Sequence, residues 1–410
     1  MRGCLTFLLC LLLAQGYSQD RQLSYFIDKA IEGSPLLGDL RNQVQVNRLD
    51  SLLIVAAQRP QVAFASNDNY APIINGYGYD KAITNGANIS GLFSINKSFL
   101  TGKTNRIQFE SIRLLVEAAK NNLLITEQDI RKSVINQYLV TYGDQLQLKF
   151  NNAIQDRLNR EEQVLKKLAQ LNVYKQVDYL SFFVTVQQND FKRKQQYIQY
   201  KDDYASLNYL CGIYDTTLVP LDSPRINLEQ LPVVSNSVFF RKYNIDSLTL
   251  QNSRLLLNKN YVPRLNAYAD AGYYSSMDYL PYKNFGTSVG LTLVVPIFDG
   301  KQKQLQLEKI DLQEKSRQRN RAYFSNQYQQ QITQLNNQLK SIRELTADIN
   351  MQLKYIETLM SVNQQLLQTG DVKIYDYILA LNNYLNARSI INENNIKQWM
   401  LINQINYFNR

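Results

Sequence analysis

Histidine is absent from this chain of 410 residues. Its absence excludes the Ser-His-Asp and Cys-His catalytic arrangements and every zinc site built on histidine. The sequence also lacks a glycine-rich phosphate-binding loop and a metal-ligand cluster. We therefore predict that the protein is not an enzyme and holds no cofactor and no metal. An exported enzyme that works with Asp and Glu alone is the alternative that these absences leave open.

Cysteine is scarce, with three residues in the whole chain. Cys4 and Cys10 lie in an N-terminal segment, residues 1–18, that is typical of a signal peptide. It has a basic residue, an apolar run over residues 5–14 that is too short to span a membrane, and small residues at its end. We expect export and removal of this segment. Cys211 then remains alone, so we predict no internal disulfide and a buried structural thiol.

Acidic residues are outnumbered, 35 against 45 Lys and Arg, which gives a formal net charge of +10. A basic balance can indicate a nucleic-acid partner or an anionic surface. No RNA-binding motif accompanies it, and long polar helices carry many solvated Lys and Arg residues. We interpret the charge as helix surface and predict no nucleic-acid partner.

Proline is missing between Lys301 and Arg410, and Gly370 is the only glycine of that stretch. Apolar residues recur there at steps of three, four or seven, at Ile332, Leu335, Leu339, Ile342, Ile349, Leu353 and Ile356. The pattern predicts a helix over about 301–368, roughly 100 Å long. Gly370 is suited to stop it in the left-handed conformation, so that a second helix returns over about 372–408.

An alternating stretch precedes this long helix. Apolar residues occupy every second position, at Val289, Leu291, Leu293, Val295 and Ile297. Pro296 cannot donate a hydrogen bond to a sheet, which fits the end of a strand, and Asp299 with Gly300 has the chemistry of a turn. We predict a strand over about 284–298 that turns directly into the helix.

The first half of the chain repeats this pattern. Gly91 matches Gly290 at an offset of 199 residues, and Asp178 matches Asp376 at an offset of 198. The steady offset indicates duplication, with helix, two strands, long helix and returning helix in each copy. The first repeat, 19–225, has predicted strands at about 61–78 and 82–99 and helices at about 103–171 and 174–211; the second, 226–410, has strands at about 263–279 and 284–298 and helices at about 301–368 and 372–408.

A broken helix is predicted ahead of the first strand pair. Residues 23–58 carry apolar side chains at helical spacing, interrupted at Gly33-Ser34-Pro35. Ser34 is suited to cap the second piece, and Pro35 is suited to its first turn.

The Val-Pro-Ile-Phe-Asp-Gly-Lys segment at 295–301, placed between an alternating strand and a Gln/Glu/Lys-rich helix, resembles the signature of the TolC-like outer-membrane efflux proteins. The resemblance covers nearly the whole mature chain. Its most specific parts are the segment 296–300 and the Gly370 hairpin leading to Asp376. At the end of the second strand, Lys97 stands where the family has proline. The resemblance places the two strand-to-helix turns at Phe99 and Gly102 in the first repeat and at Pro296, Phe298, Asp299 and Gly300 in the second.

Two hairpins per chain cannot stand alone in a bilayer, because open sheet edges are not tolerated in lipid. Three copies supply twelve strands, within the range of outer-membrane barrels. The resemblance accordingly implies an α+β membrane protein, a homotrimer whose twelve-stranded β-barrel continues as a periplasmic α-helical barrel. Tyrosines near strand ends suit an interfacial girdle, although each could be an ordinary strand residue: Tyr70, Tyr77, Tyr79, Tyr273, Tyr274, Tyr279 and Tyr282.

The function implied by the resemblance is a passive exit duct in the cell outer membrane, with its helical part in the periplasm. Its expected partners are a periplasmic adaptor (membrane fusion protein), an inner-membrane transporter and outer-membrane lipid, in a tripartite efflux or type I secretion system. A soluble periplasmic coiled-coil adaptor or scaffold is the alternative. That alternative explains the helices but not the strands.

Asp178 and Asp376 are predicted in the first turns of the two returning helices. The resemblance implies that they form acidic rings at a periplasmic entrance, whereas the alternative is a first-turn residue favoured by the helix dipole. Leu379 occupies the position of a second family aspartate, so that ring would carry less charge. Gating is expected as an untwisting of the returning helices near Asn172 and Gly370.

Overall fold

The computed structural model describes residues 22–80, 82, 86–99, 102–229, 237–276 and 280–409. The predicted signal peptide, residues 1–18, and Tyr279 lie outside these ranges. In chain order the elements are α1 (Leu23–Gly33), α2 (Pro35–Ala57), β1 (Gln61–Tyr70), β2 (Ala87–Phe99), α3 (Gly102–Gln170), α4 (Gln176–Leu210), α5 (Val238–Asn260), β3 (Arg264–Ser275), a 3₁₀ turn (Pro281–Lys283), β4 (Phe285–Val294), α6 (Gln302–Thr369) and α7 (Ile374–Phe408).

The duplicated element order is confirmed. Each half of the chain runs from helix through two strands into a long helix and a returning helix. The long helices α3 and α6 have 69 and 68 residues, and the returning helices α4 and α7 have 35 residues each. The two returning helices begin 198 residues apart, which is the offset of the sequence repeat.

The predicted helix break near residue 34 is also confirmed. The Ser34 hydroxyl accepts a hydrogen bond from the Leu37 amide at 3.3 Å, which satisfies one of the free donors at the start of α2. Pro35 occupies the first position of α2, where its missing amide hydrogen has no cost.

The first strand of the first hairpin is shorter than the predicted range 61–78, because β1 ends at Tyr70. β2 begins at Ala87, and residues 83–85 of the predicted range 82–99 lie outside the described residues. Pro72 cannot donate to a ladder, and Asn75 and Gly76 have φ values of 53° and 87°, which turn the chain. Tyr77 and Tyr79 continue the strand-like sequence pattern beyond Tyr70, but the turn prevents these residues from pairing with β2.

The second hairpin also has a β4 that is shorter than predicted, 285–294 where 284–298 was expected. β3 ends at Ser275, and residues 277–279 of its predicted range lie outside the described residues. Val294 pairs with Arg264, the first residue of β3, so the residues after Val294 have no neighbouring strand in this hairpin. Pro296 and Phe298 consequently lie beyond the strand, in the segment that leads into α6.

The chain forms two compact units, and each draws on both sequence repeats. The helical unit comprises Met1–Gly38, Leu124–Val238 and Phe324–Arg410, and the sheet unit comprises Asp39–Leu123 and Phe239–Tyr323. The repeats at 19–225 and 226–410 are therefore not separate folding units. The reason is that β2 of the first repeat pairs with β3 of the second, so the two hairpins make one sheet.

The helical unit has its own apolar core. One cluster joins Phe26 of α1 to Tyr138 of α3, whose ring centroids lie 5.7 Å apart, and to Leu207 and Cys211 at the end of α4. Cys211 is 3% exposed, and burial raises the pKa of its thiol to about 12. The prediction of a buried thiol at this position is confirmed.

Candidate functional site

The sheet unit is built around four antiparallel strands in the order β1-β2-β3-β4. The central pair β2 and β3 is in register from Ile89 opposite Ser275 to Phe99 opposite Leu265. β1 and β4 form the edges, and neither has a second partner strand among the described residues. Each edge is ten residues long. An edge of that length offers a continuous row of backbone donors and acceptors to another strand.

One face of this sheet is apolar and open. The register places Val62, Ile95, Ala269 and Val289 in one row across all four strands. Its neighbouring rows contain Phe64, Phe93, Ala267, Ala271, Leu265, Leu291 and Leu293. Val289, Leu291 and Leu293 are 82%, 71% and 64% exposed. Such a face needs an apolar environment, which the single chain does not provide.

The opposite face carries many small polar groups, together with a few apolar residues and Tyr268. Its rows contain Asn67, Asn69, Asn88, Ser90, Ser94, Asn96, Ser98, Asn266, Asp270, Ser288 and Thr292. Several bond across strands: the Ser98 hydroxyl donates to the Asn266 amide oxygen at 2.7 Å, and the Asn88 amide donates to the Tyr274 hydroxyl at 3.1 Å. The two faces therefore differ as a lipid-facing and a water-facing surface do.

Most of the described girdle candidates lie at the loop end of the sheet or in its loops. Tyr70 closes β1, Tyr274 is the penultimate residue of β3, and Tyr77 and Tyr282 lie in the loops; all four are exposed. This is the end away from the long helices. Their use as an interfacial girdle stays a prediction.

The second strand-to-helix turn is held by Asp299. Its carboxylate accepts hydrogen bonds from the amides of Lys303 at 2.8 Å and Lys301 at 3.0 Å, which cap α6. The bond from Lys303 contributes most to lowering the pKa of Asp299. Gly300 and Lys301 both have positive φ, 64° and 69°, which turns the chain sharply before the helix.

The first strand-to-helix turn is described at its two sides. Phe99 is the last residue of β2 and is exposed, and Gly102 is the first residue of α3. Residues 100 and 101 lie outside the described ranges. Lys97, at the end of β2, donates from its ammonium group to the Gln58 carbonyl.

The two helix hairpins of the helical unit turn in the same way. Asn172 and Gly370 have φ values of 61° and 83°, the left-handed conformation that the sequence indicates. After them, the Val173 amide donates to the Leu168 carbonyl at 2.9 Å, and the Asp371 amide donates to the Leu366 carbonyl at 3.0 Å. These are the six-residue bonds of a Schellman cap, made at both hairpins.

Asp178 and Asp376 occupy equivalent positions, the third residues of α4 and α7. Their amides donate to the carbonyls of Lys175 and Lys373, both at 3.0 Å. Asp178 is half-buried and Asp376 is exposed. The place in the first turn suits the helix dipole. A role at an entrance stays a prediction.

Contacts between the two helix hairpins, α3–α4 and α6–α7, were not predicted from the sequence. The Tyr174 hydroxyl of the first hairpin donates to the Leu367 carbonyl at 3.2 Å and to the Val372 carbonyl at 2.9 Å in the second. Tyr377 of α7 donates to the Glu161 carboxylate of α3. These bonds tie the first repeat to the second at the turning end of the helices.

Glu161 is a buried carboxylate within this end of the helical unit. It is 6% exposed, and burial raises its pKa, while the bonds from Tyr377 and Arg157 oppose the rise. Arg157 lies one helical turn earlier, with 3.2 Å between its Nε and the carboxylate. A sequence signal existed: Glu161 falls on the helical spacing of the buried residues Ile154, Leu158 and Leu165.

A second carboxyl pair joins α3 to α4. Burial raises the pKa of Asp144 to about 7, and the neighbouring carboxyl of Asp203 adds to the rise. The side-chain amide of Gln196 donates to Asp144 at 3.0 Å, and those of Gln137 and Gln199 donate to Asp203 at 3.0 and 2.6 Å. The pair is surrounded by side-chain amides, and the raised pKa means that Asp144 is protonated at pH values below about 7.

The part of the chain that the structure describes contains neither a metal-binding cluster nor a helix suited to cross a membrane. No group of three or more His, Cys, Asp or Glu residues there is arranged to hold a metal ion. Within the same residues, none of the helices combines the length and the apolar character needed to cross a membrane.

Comparison with known proteins gives matches only at the level of structure. The chain matches no protein-family model and no curated protein sequence. Solved outer-membrane channels do match. VceC of Vibrio cholerae, an outer membrane protein, is 13% identical with a TM-score of 0.75, covering 94% of this chain and 96% of VceC. CusC, studied for transmembrane channel formation, is 12% identical with a TM-score of 0.78, covering 95% and 92%.

A third match is the MtrE outer membrane channel of Neisseria gonorrhoeae in its open state. It is 10% identical with a TM-score of 0.74, covering 95% of this chain and 88% of MtrE. The likeness extends over nearly the full length of each chain, so it includes the hairpins, the long helices and the returning helices together. At this low identity it is a likeness of fold, and the chain accordingly has the TolC-like fold of the outer-membrane channel proteins.

Proposed function

We propose that the protein is an outer-membrane channel, the exit duct of a tripartite efflux or type I secretion system. It conducts substrates passively from a periplasmic adaptor and an inner-membrane transporter to the exterior. One observation carries the proposal. The four-stranded sheet has an open apolar face, a polar face and two long edges that no other strand of the described residues pairs with.

The edges give the reason for assembly. A sheet with free edges is unstable in lipid, where no water satisfies the backbone groups. Three copies joined edge to edge supply twelve strands and leave none unpaired. The apolar face, with Val289, Leu291 and Leu293, then faces lipid, and the polar face lines the lumen. This arrangement satisfies the backbone and both faces at once.

Helix α2, whose residues from Asp39 onward belong to the sheet unit, supports assembly independently. Leu49, Leu52 and Leu53 are exposed on the single chain. These leucines are spaced at i, i+3 and i+4, so they lie on one stripe of the helix and form a continuous apolar strip that is exposed on the single chain. Neighbouring copies around a closed ring would cover it. A homotrimer explains both the strand edges and these leucines.

In this function the hairpin end of the helical unit is the periplasmic entrance. Asp178 and Asp376, three copies each, would line it. The bonds from Tyr174 and Tyr377 hold the two hairpins of one copy together. Opening requires the returning helices to shift near Asn172 and Gly370, whose left-handed turns are short and contain little buried surface.

The rival function, a soluble periplasmic coiled-coil adaptor or scaffold, accounts for the helices alone. It leaves the apolar face of a four-stranded sheet in water, together with two free edges. Exposed edges and apolar faces of this size lead to aggregation in soluble proteins. The sheet therefore favours the channel.

The test is the behaviour of the purified full chain. We expect it in the outer-membrane fraction, soluble only with detergent, with the mass of a trimer by light scattering, and able to conduct ions in planar bilayers. A monomer that remains soluble without detergent and does not conduct would overturn the proposal. If the protein behaves as expected, the adaptor and the transporter that co-purify with it would identify the export system.

A further inference from the structure

We propose that the lumen of the barrel selects against anionic solutes through Asp270, so that the duct favours cationic and neutral polar substrates. The inference deepens the proposed channel function and rests on it. It concerns only the sheet unit, whose register fixes which side chains share a face.

Asp270 lies in the middle of the polar face. It follows Arg264, the first residue of β3, by six positions and precedes the last residue, Ser275, by five. Its neighbours across the strands are Ser94 and Ser288, and the Ser288 hydroxyl donates to its carboxylate at 3.3 Å. A half-buried carboxylate thus stands among hydroxyl groups, with no basic side chain in its row.

No other charged side chain of the described strands lies near Asp270 on the polar face. Within the described strands, the other polar-face residue with a formal charge at neutral pH is Arg264. It lies roughly 20 Å away along the strand, and its guanidinium donates to the Asn260 carbonyl at 3.0 Å, beyond the sheet. The strand residues Asp68 and Lys97 belong to the rows of the opposite, apolar face.

The barrel is narrow enough for three such carboxylates to act together. Twelve strands about 4.8 Å apart and tilted by about 40° enclose a ring roughly 24 Å across between backbones. The lumen radius is then comparable to the screening length of about 8–10 Å at physiological salt. Three equivalent Asp270 carboxylates at one height would impose a negative potential on the whole cross-section.

The remaining lining explains which solutes pass. The Asn, Ser and Thr side chains of this face, which also carries Leu92 and Tyr268, offer donors and acceptors without charge and so solvate neutral polar groups. Asp270 is then the group of the middle rows that attracts cations. Polyanions meet repulsion with no basic residue in the same row to offset it. The structure therefore assigns the charge preference of the outer part of the duct to one residue.

The local potential can be read with a cysteine next to Asp270. The reporter is Ser288→Cys in the full-length protein reconstituted into lipid vesicles. Its rates of modification by a cationic and an anionic methanethiosulfonate reagent, which carry trimethylammonium and sulfonate groups, are compared with and without Asp270→Asn. Cys211 is 3% exposed and gives the unmodified background. Asp68→Asn is the matched control, because it removes an aspartate from the other face.

We expect the cation-to-anion rate ratio at position 288 to fall at least about threefold with Asp270→Asn and to stay unchanged with Asp68→Asn. If position 288 is still labelled and the ratio does not change with Asp270→Asn, the inference is overturned. This result would not contradict the proposed channel function. Labelling of Val289→Cys but not of Ser288→Cys would show that the faces are reversed, which would overturn the proposed lumen as well.

Discussion

Gly370 in the second helix hairpin lies directly against Val173 in the first, so closely that a Cβ at position 370 would be 2.6 Å from Cγ1 of Val173. Gly370 and Asn172 occupy matching places in the duplicated sequence, and both are left-handed. Gly370 therefore meets two demands at once, a positive φ and the absence of a side chain. Asn172 meets only the first.

Replacing Gly370 by alanine should destabilise the hairpin end of the helical unit. The left-handed φ alone costs about 1–2 kcal/mol for a residue with a Cβ, and the contact with Val173 adds to it. We expect a lower melting temperature for Gly370→Ala, partly restored by adding Val173→Ala. Asn172→Gly is the control and should change stability little, since glycine accepts the same φ. Equal losses at both positions would contradict this account.

Removing the hydroxyl of Tyr377 should loosen the tie between the repeats. Tyr377→Phe leaves the buried Glu161 carboxylate with one hydrogen bond fewer, and we expect a loss of about 1–3 kcal/mol. Thermal unfolding of the trimer measures it, and single-channel recording should show more frequent opening. Tyr375→Phe, an exposed neighbour in the same turn of α7, is the control. Wild-type stability and gating in Tyr377→Phe would argue against a structural tie.

Stability should fall as pH rises through the titration of Asp144. Its folded pKa is about 7 and its ordinary value is 3.8, so between these values the folded chain holds a proton that the unfolded chain has released. The stabilisation is complete below about pH 4 and is lost as the pH rises to about 7. Asp144→Asn should flatten this slope of melting temperature against pH, whereas Asp156→Asn, at an exposed site on the same helix, should not. A slope that persists in Asp144→Asn would assign it to other groups.

Charge on the two faces of β4 should have opposite consequences. Leu291 belongs to the apolar face and Thr292 to the polar face, one residue apart. Leu291→Arg should cost up to about 2–4 kcal/mol in lipid and reduce the yield of trimer in the outer-membrane fraction. Thr292→Arg should assemble normally. Normal assembly of both variants would contradict the assignment of the faces.

The sequence was sufficient for those features that are decided locally. Gly370, Asn172 and Ser34 indicate helix ends because backbone conformation and capping depend on one or two residues. Alternation likewise predicts that Val289 and Ser288 lie on opposite faces of the sheet, with Val289 on the apolar one. Strand length was overestimated, because alternation continues beyond Val294, while pairing stops where the neighbouring strand begins.

The contacts that were missed join residues far apart in the chain. Tyr377 and Glu161, or Asp144 and Asp203, come together only when the helices pack, and no local pattern states which polar residue will find a partner. A carboxylate on a buried stripe, as at Glu161, is the one sequence sign of such a pair. Its partner could not be identified without the packing.

The seam between β2 and β3 has an evolutionary consequence. A gene encoding half of this chain would supply one β-hairpin, and six polypeptides instead of three would have to assemble to complete the proposed twelve-stranded ring. Fusion of the two halves places β2 and β3 in one chain, so every second contact between hairpins of the ring forms within a chain. The formation of these contacts no longer depends on protein concentration. Fusion also allows the two halves to diverge in sequence. The two helix hairpins show such a difference, with Asn172 at one turn and Gly370 at the other.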